Sequence, residues 1–304
     1  MLPPPRVPNG VYAAALTPLR ADLSVDHDAL AAHVRRLLAH GCDGVAVLGT
    51  TGEANSFSVD ERLELVDRLA AAGLPAHRLL VGTGACALPD AVRLTRHAVA
   101  RGAAGALVLP PFYYKNVRDE GLFAAFARLI EGVGDARLRL VLYHFPRMSG
   151  VPVTRPVLER LLDAYPGTVV GMKDSGGDLA HMRRLCEVFP GFQVFTGTER
   201  FLLDLLRSGG AGCITATANV TAPLAAEIFA APDAPEAPAR QARLSALRGA
   251  LEVFPFAPAL KRLMADRTND PDWLHLRPPL SALRPSEVAA LREAVRAHPL
   301  PPMP

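Results

Sequence analysis

The segment Val169–Asp178 brings a lysine to the end of an apolar run and then turns. Its sequence is VVGMKDSGGD, so four apolar or small residues precede Lys173 and a serine and two glycines follow closely. A protonated lysine cannot attack a carbonyl, but apolar surroundings disfavour the charged amine and favour the neutral nucleophile. Lys173 could therefore form a Schiff base with a carbonyl compound. The alternative is a structural lysine paired with Asp174 or another carboxylate.

Two further features could work with such an amine. Tyr143 ends the apolar part of LVLYHFP, and a phenol beside an amine can move protons through the carbinolamine and imine steps. The segment GTTGE, residues 49–53, offers backbone N–H groups and threonine hydroxyls that can hold a carboxylate. Either feature alone is common in structural roles. Together with Lys173 they describe a site that binds a 2-oxo acid and forms an imine with its ketone.

These residues need a frame that brings several strand ends together. Eight apolar runs recur along the chain and are near-continuous rather than alternating: VYAAALTPL, GVAVLG, RLLVGTG, GALVLPP, LVLYHFP, TVVGMK, FQVFTG and GCITATAN. Such runs are typical of parallel strands covered on both faces. The segments between them carry helical spacing, as in VDERLELVDRLAAAG, where Gly73 is expected to end the helix.

Eight strand-helix units in about 230 residues predict an α/β fold, a (β/α)8 TIM barrel with its functional groups at the carboxyl ends of the strands. An open doubly wound sheet is the alternative, but it usually has fewer strands, and no G-x-G-x-x-G opens the first helix. Beyond Asn219 the strand pattern stops. The Pro/Ala-rich residues 231–241 are expected to lead into three helical patterns, ARLSALRGALEVF, APALKRLMAD and SEVAALREAVRAH. We therefore divide the chain into a barrel that carries the active site, residues 1–230, and a small C-terminal helical domain, residues 231–304.

Composition limits the classes of function. The chain has 304 residues and a formal net charge of +3 with scattered arginines, so neither nucleic acid nor an anionic membrane is an expected partner. No apolar signal-peptide segment opens it and no run of about 18 uncharged apolar residues occurs, so no membrane span is expected. Without a C-x-x-C pair, the four cysteines favour buried free thiols in a reducing cytoplasm over structural zinc. We expect a cytoplasmic protein.

The motifs resemble those of one known family, in the same order, across residues 10–300. The segments TPL, GTTGE, PFYY with EGL, YHFP with SG, GMKDSGGD and GGAGCITATANV are similar to those of the dihydrodipicolinate synthase / N-acetylneuraminate lyase family of class I aldolases. The resemblance implies that Lys173 is the Schiff-base lysine and Tyr143 the general acid/base, without a cofactor or metal. It also implies that Thr50 and Thr51 hold the pyruvyl carboxylate, with Thr50 in the proton relay.

The resemblance assigns two residues outside this group. Tyr114 corresponds to the family tyrosine that reaches into a neighbouring subunit's site and takes part in catalysis there. Ile214 would contact the bound pyruvate. Because the family usually assembles as a dimer of dimers, a homotetramer is expected.

The part of the substrate beyond the pyruvyl group would be recognised at positions where this chain differs from known members of the family. Dihydrodipicolinate synthases resemble Y-N-V-P-x-R-T-G, with an arginine for the carboxylate of aspartate semialdehyde, whereas this chain reads YHFPRMSG and has Met148 there. A thioether cannot pair with a carboxylate. Neuraminate lyases resemble GYDE after the seventh strand, whereas this chain reads GTER, with Glu199 and Arg200. Glu199 is a candidate substrate-binding residue, and Ser175 could bond the substrate or cap the turn.

These departures favour a lyase that cleaves or dehydrates a hydroxylated 2-oxo acid, such as a 2-keto-3-deoxy sugar acid or 4-hydroxy-2-oxoglutarate. Cleavage is favoured because no extra acid is clearly placed to protonate a leaving hydroxyl. The alternatives are a true dihydrodipicolinate synthase of lysine biosynthesis and a non-catalytic barrel that binds 2-oxo acids. A metal-dependent aldolase would need several histidine and carboxylate ligands, and His144 is the one histidine found at a predicted strand end.

Overall fold

The computed structural model describes residues 6–302. Its frame is a closed barrel of eight parallel strands in sequence order, in which the first strand pairs with both the second and the last. The strands are β1 Gly10–Ala14, β2 Gly44–Val47, β3 Leu79–Gly82, β4 Gly105–Val108, β5 Leu140–His144, β6 Val169–Asp174, β7 Gln193–Thr196 and β8 Gly212–Thr215. Each of the eight apolar runs overlaps one strand, although β1 begins one residue before its run and β6 ends one residue after it. The predicted (β/α)8 TIM barrel is therefore confirmed, and the open sheet is wrong.

Helices follow the strands and cover the outside of the barrel. Within residues 6–302 the α-helices are α1 His27–Ala39, α2 Val59–Ala71, α3 Leu88–Ala100, α4 Asp119–Val133, α5 Pro146–Ser149, α6 Arg155–Ala164, α7 Leu179–Val188, α8 Leu202–Leu206, α9 Ala218–Ala230, α10 Ala237–Leu251, α11 Phe256–Thr268 and α12 Pro285–Ala297. The helix predicted to end at Gly73 is α2. It begins with a capping box in which Ser58 and Glu61 bond each other's backbone N–H groups. No helix in the described range is long and apolar enough to cross a membrane.

Side-chain alternation along the strands separates an inner core from an outer one. The barrel interior holds one cluster of large side chains, which includes Tyr12, Val141, Tyr143, Phe195 and Ile214. Outward-facing strand residues pack beneath the helices in two other clusters. The same alternation decides whether the residues at the ends of β5 and β6, which include Tyr143 and Lys173, face the barrel interior.

The helices after the barrel share a core with it. Leu16 and Val220, from the barrel, lie in one cluster with three residues that follow it. These are Leu260 on α11, Leu291 on α12, and Trp273 between the two helices. This packing holds the C-terminal helices against the barrel. The division at residue 230 stays a prediction, and residues 1–5 and 303–304 of the two predicted ranges lie outside the described residues.

Three boundary and burial predictions need correction. Helix α10 begins at Ala237, inside the predicted connection, because a proline is tolerated in the first helical turn. Asn219 lies in the first turn of α9 rather than on β8, which ends at Thr215. Cys86 is exposed instead of buried, since it lies in the loop between β3 and α3 at the mouth of the barrel.

Candidate active site

Lys173 and Tyr143 lie side by side at the carboxyl ends of β6 and β5. The two residues pair in register, and only 5% and 4% of their surfaces are exposed. The Nζ atom of Lys173 lies 4.2 Å from the centre of the Tyr143 ring. An amine and a phenol held this close can exchange protons with the same substrate atom. The structure brings together the two residues predicted to carry the chemistry.

The turn formed by residues 49–53 reaches the same end of the barrel from β2. The Oγ1 atom of Thr50 lies 3.5 Å from the Oη atom of Tyr143, and either hydroxyl can be the donor. Thr51 is partly exposed beside it. Gly52 is required by packing, because a Cβ atom there would lie 2.7 Å from the carbonyl oxygen of Ala15. We call residues 49–53 the carboxylate turn.

A small cavity lies between the carboxylate turn and the phenol. Its walls include Gly49, Thr50, Gly84, Leu109 and Tyr143. A larger cavity lies at the opposite end of the barrel, beside residues that begin β6 and precede β7. The smaller one adjoins the candidate residues, because its walls include both Thr50 and Tyr143.

Ile214 and Ser175 lie close to this arrangement. Ile214 is fully buried in the inner cluster that contains Tyr143, so it packs inside the barrel. The hydroxyl of Ser175 packs against Gly197 at the end of β7, where a Cβ atom would lie 2.1 Å from it. Gly197 therefore leaves the space that the Ser175 side chain occupies.

Met148 and Tyr114 lie on the exposed rim. Met148 is on α5 and is 61% exposed, and Tyr114 is 75% exposed. The Nζ atom of Lys115 donates to the carbonyl oxygen of Ser149 at 2.7 Å, which ties the tyrosine loop to α5. The rings of Tyr113 and Tyr114 pack edge to face, with centroids 5.3 Å apart. Within its own chain, Tyr114 is therefore an exposed residue whose ring packs on Tyr113.

Glu199 was predicted to bind substrate, but the structure buries its carboxylate away from Lys173 and Tyr143. Its carboxylate is fully buried and accepts hydrogen bonds from Nη1 of Arg248 on α10, at 3.0 Å, and from the hydroxyls of Thr215, Thr217 and Thr221. The prediction is wrong because the 3-10 turn that begins at Glu199 directs the carboxylate toward α10, where a cation compensates its buried charge.

A cluster of His144, Asp174 and His181 lies behind Lys173 and was missed from the sequence. Asp174 accepts hydrogen bonds from the Nδ1 atom of His181 and from the backbone N–H of Gly176, both at 2.7 Å. The bond to Asp174 raises the pKa of His181, whereas burial lowers the pKa of His144. The position of His181 in the first turn of α7, just after β6, was the available signal.

This cluster raises the question of a metal site. Each side chain offers a ligand atom, and these atoms lie within 4.8 Å of one another. However, the Nδ1 atom of His144 accepts the backbone N–H of Val153 at 3.1 Å, so the neutral ring carries its proton on Nε2. Metal-bound histidines instead donate the N–H of the ring nitrogen that does not bind the metal. His144 is poorly arranged as a ligand, and we assign no metal to the cluster.

Comparison with known proteins identifies the family to which this chain belongs. Residues 7–298 match the model of the dihydrodipicolinate synthetase family. A relative from Chloroflexus aurantiacus, described as an uncharacterized DapA-like lyase, is 38% identical over 293 residues, which cover 94% of this chain and 96% of the relative. A 4-hydroxy-tetrahydrodipicolinate synthase of Rhizobium meliloti is 33% identical over 294 residues, which cover 95% and 97%.

Two solved structures share the fold over almost their whole length. The crystal structure of dihydrodipicolinate synthase from Agrobacterium tumefaciens superposes with a TM-score of 0.88 at 34% identity and covers 95% of this chain and 99% of that one. YagE, an E. coli K12 prophage protein of the dihydrodipicolinic acid synthase family, was solved with pyruvate and gives 0.87 at 26% identity, with 96% and 99% covered. The chain therefore belongs to the dihydrodipicolinate synthetase family, a family of lyases.

Proposed function

We propose that this chain is a class I lyase that joins the ketone of a hydroxylated 2-oxo acid to Lys173 as an imine and then cleaves it. The observation that carries the proposal is the 4.2 Å contact between the Nζ atom of Lys173 and the Tyr143 ring at the ends of neighbouring strands. The pyruvate complex of the family member YagE supports a ligand with a pyruvyl group.

The carboxylate turn binds and orients the acid in this proposal. Backbone N–H groups and the hydroxyls of Thr50 and Thr51 donate charge-assisted hydrogen bonds to the substrate carboxylate. The ketone of a 2-oxo acid is bonded directly to its carboxylate carbon, so binding of the carboxylate brings the ketone carbon toward Lys173. Ile214, in the inner cluster, limits the space beneath the substrate.

The covalent steps need protons to move at both the nitrogen and the oxygen. The neutral amine of Lys173 attacks the ketone carbon, the nitrogen then gives up one proton and the former carbonyl oxygen takes one up, which gives a carbinolamine. After this oxygen takes up a second proton, the nitrogen lone pair expels it as water and the iminium ion remains. Tyr143 accepts the proton from the nitrogen and donates protons to the oxygen, and the Thr50 hydroxyl, 3.5 Å from the phenol, relays the further proton from solvent.

The iminium ion draws electrons from the neighbouring carbons. In cleavage, Tyr143 removes the proton of the C4 hydroxyl, the C3–C4 bond breaks and an aldehyde leaves. In dehydration, a C3 proton is removed and a hydroxyl is expelled with a proton from an acid. Cleavage is the better supported outcome, because Glu199 is bound to Arg248 and is not available as that acid.

The rim residues favour a hydroxylated acid over aspartate semialdehyde. Met148 is exposed on α5 and offers no charge to a distal carboxylate, while the Ser175 hydroxyl can bond a substrate hydroxyl. Synthesis of 4-hydroxy-tetrahydrodipicolinate is the second candidate, since a relative with that name is 33% identical. We also propose that the enzyme is cytoplasmic and that it needs neither a metal nor a cofactor.

Product analysis tests this function directly. The protein is incubated with EDTA and a panel of 2-keto-3-deoxy sugar acids, 4-hydroxy-2-oxoglutarate, or pyruvate with aspartate semialdehyde. We expect pyruvate and an aldehyde from a hydroxylated acid, and no turnover by Lys173→Arg. A dehydrated 2-oxo acid without free pyruvate would contradict cleavage, and efficient condensation with aspartate semialdehyde would favour the synthase. A folded chain that turns over none of these would favour a binding role.

A further inference from the structure

The carboxylate turn is connected to the C-terminal helices through a buried ion pair. Glu53 is the last residue of the turn, and one oxygen of its carboxylate accepts a hydrogen bond from the Nζ atom of Lys261 on α11 at 2.5 Å. The other oxygen accepts the backbone N–H of Arg277 at 3.0 Å. The Nζ atom also donates to the carbonyl oxygen of His275 at 2.7 Å. Both side chains of the ion pair are within 1% of complete burial.

The backbone of Glu53 needs support of this kind. Its φ of 59° and ψ of 27° lie in the left-handed region, which residues other than glycine seldom adopt. Such a conformation persists where the surroundings fix it. The N–H of Glu53 donates to the carbonyl oxygen of Thr50 at 3.1 Å, so the same residue closes the turn that presents the threonine hydroxyl to the site.

Net stability alone does not explain a lysine at this depth. The chain has three lysines, Lys115, Lys173 and Lys261, among 33 basic residues. Burial disfavours the ammonium group of Lys261 and lowers its pKa, while Glu53 acts in the opposite direction. Buried ion pairs generally add little stability over an apolar pair of the same shape, but they can impose one geometry.

We propose that Glu53 and Lys261 are positioning residues for the substrate carboxylate. Their ion pair fixes the backbone N–H groups of the carboxylate turn, so the C-terminal helices set the affinity of the barrel for a 2-oxo acid. This inference rests on the proposed function, because it assumes that the turn binds the carboxylate of a ligand whose ketone reacts with Lys173.

Labelling with pyruvate and borohydride measures the effect. Borohydride transfers hydride to the iminium carbon and leaves a stable carboxyethyl group on Lys173, which peptide mass spectrometry quantifies. Two variants are compared, Lys261→Met and the double variant Glu53→Gln/Lys261→Met, which removes both buried charges and so leaves no lone carboxylate in the core. Arg262→Met is the matched control, since Arg262 is the next residue on α11 and pairs with Asp266 instead. Circular dichroism and Tm establish that each variant is folded.

The substitutions should weaken labelling only by a ligand that has a carboxylate. Both Lys261 variants should need about tenfold more pyruvate for half-maximal labelling of Lys173, because small displacements of hydrogen-bond donors weaken charge-assisted contacts by this order. The Arg262→Met variant should match the wild type. Labelling by acetone, a ketone without a carboxylate, should stay at the wild-type level in all of them.

Other results separate this inference from the function on which it rests. An unchanged pyruvate requirement in a folded Lys261 variant would overturn it, even with normal labelling of the wild type. An equal loss of pyruvate and acetone labelling would also overturn it, since that pattern indicates general damage to the site. A wild-type chain that pyruvate never labels would instead overturn the proposed function, and the inference would fall with it.

Discussion

Tyr143 differs from the tyrosines of the rim in what surrounds its hydroxyl. Its side chain is buried, its ring stacks on Phe145 with centroids 5.7 Å apart, and its Oη atom lies 3.5 Å from Thr50. A fixed phenol can hold a proton at one atom of the substrate, which an exposed and mobile one cannot do reliably. We therefore propose this tyrosine, rather than Tyr113 or Tyr114, as the proton carrier.

Replacement of Tyr143 by phenylalanine keeps the ring and removes the hydroxyl. We expect kcat to fall about 10²–10⁴-fold, the usual contribution of a general acid–base group. Tm and the circular dichroism spectrum should stay close to wild type, because the stacking on Phe145 remains. Tyr165→Phe is the control, since that hydroxyl bonds Glu131 on α4. A Tyr143→Phe rate within a few-fold of wild type would remove the phenol from the mechanism.

Single residues are predictable from the sequence when their neighbours alone decide their place. Lys173 follows a continuous apolar run, and that local pattern places it at a strand end inside the barrel. Glu199 follows a similar run, but its position depends on Arg248, which lies 49 residues further along the chain. The partner of Glu53 lies 208 residues away, so no local pattern indicates the ion pair that it forms with Lys261.

At the scale of elements, the loop from β6 to α7 joins three parts of the barrel wall. Asp174 bonds the N–H of Gly176 within the loop and the ring of His181 on α7. The N–H of Ser175 donates to the carbonyl oxygen of His144 on β5 at 2.8 Å. The loop that follows Lys173 is therefore bonded to both a carboxylate and a histidine, and we expect its stability to depend on the protonation of His181.

The His181→Gln variant tests this charge dependence. The bond to Asp174 raises the pKa of His181 above 6.5, so its stabilising effect is complete below pH 6.5 and is lost as pH rises through the folded-state value. Urea unfolding should show the largest advantage of the wild type below pH 6.5 and a shrinking advantage above it. His144, whose pKa burial lowers, is present in both chains. Stability curves that run parallel across this range would exclude the Asp174–His181 pair as the cause.

The elements themselves follow from simple patterns, with exceptions at their ends. Eight strands were predicted because strands buried on both faces must be apolar throughout, and the closed barrel follows from their number and spacing. The sequence predicts the start of α10 too late because Pro238, with Pro232 and Pro235 just before it, resembles the prolines of a linker, although a helix accepts proline in its first turn. Helix ends depend on such local competition, which hydrophobic periodicity does not describe.

At the scale of the whole molecule, the exposed rim bears on assembly. Tyr113 and Tyr114 are 74% and 75% exposed, and large exposed aromatic side chains are typical of binding surfaces. If Tyr114 completes the site of a neighbouring subunit, the smallest active unit is a dimer. We expect a tetramer at working concentrations. Specific activity should fall when the protein is diluted until its dimers dissociate into monomers. Light scattering that finds a fully active monomer would contradict this assembly.

The covalent bond that we propose between the substrate and Lys173 can be tested directly, because the chain has only three lysines. The folded protein is treated with pyruvate, EDTA and borohydride, and its intact mass and peptides are measured. We predict one carboxyethyl group per chain, located on Lys173, and none in the Lys173→Arg variant. Lys115, which is exposed, and Lys261, which is buried against Glu53, serve as internal references and should stay unmodified. A folded wild-type chain without the added group, or with the group on another lysine, would contradict the account.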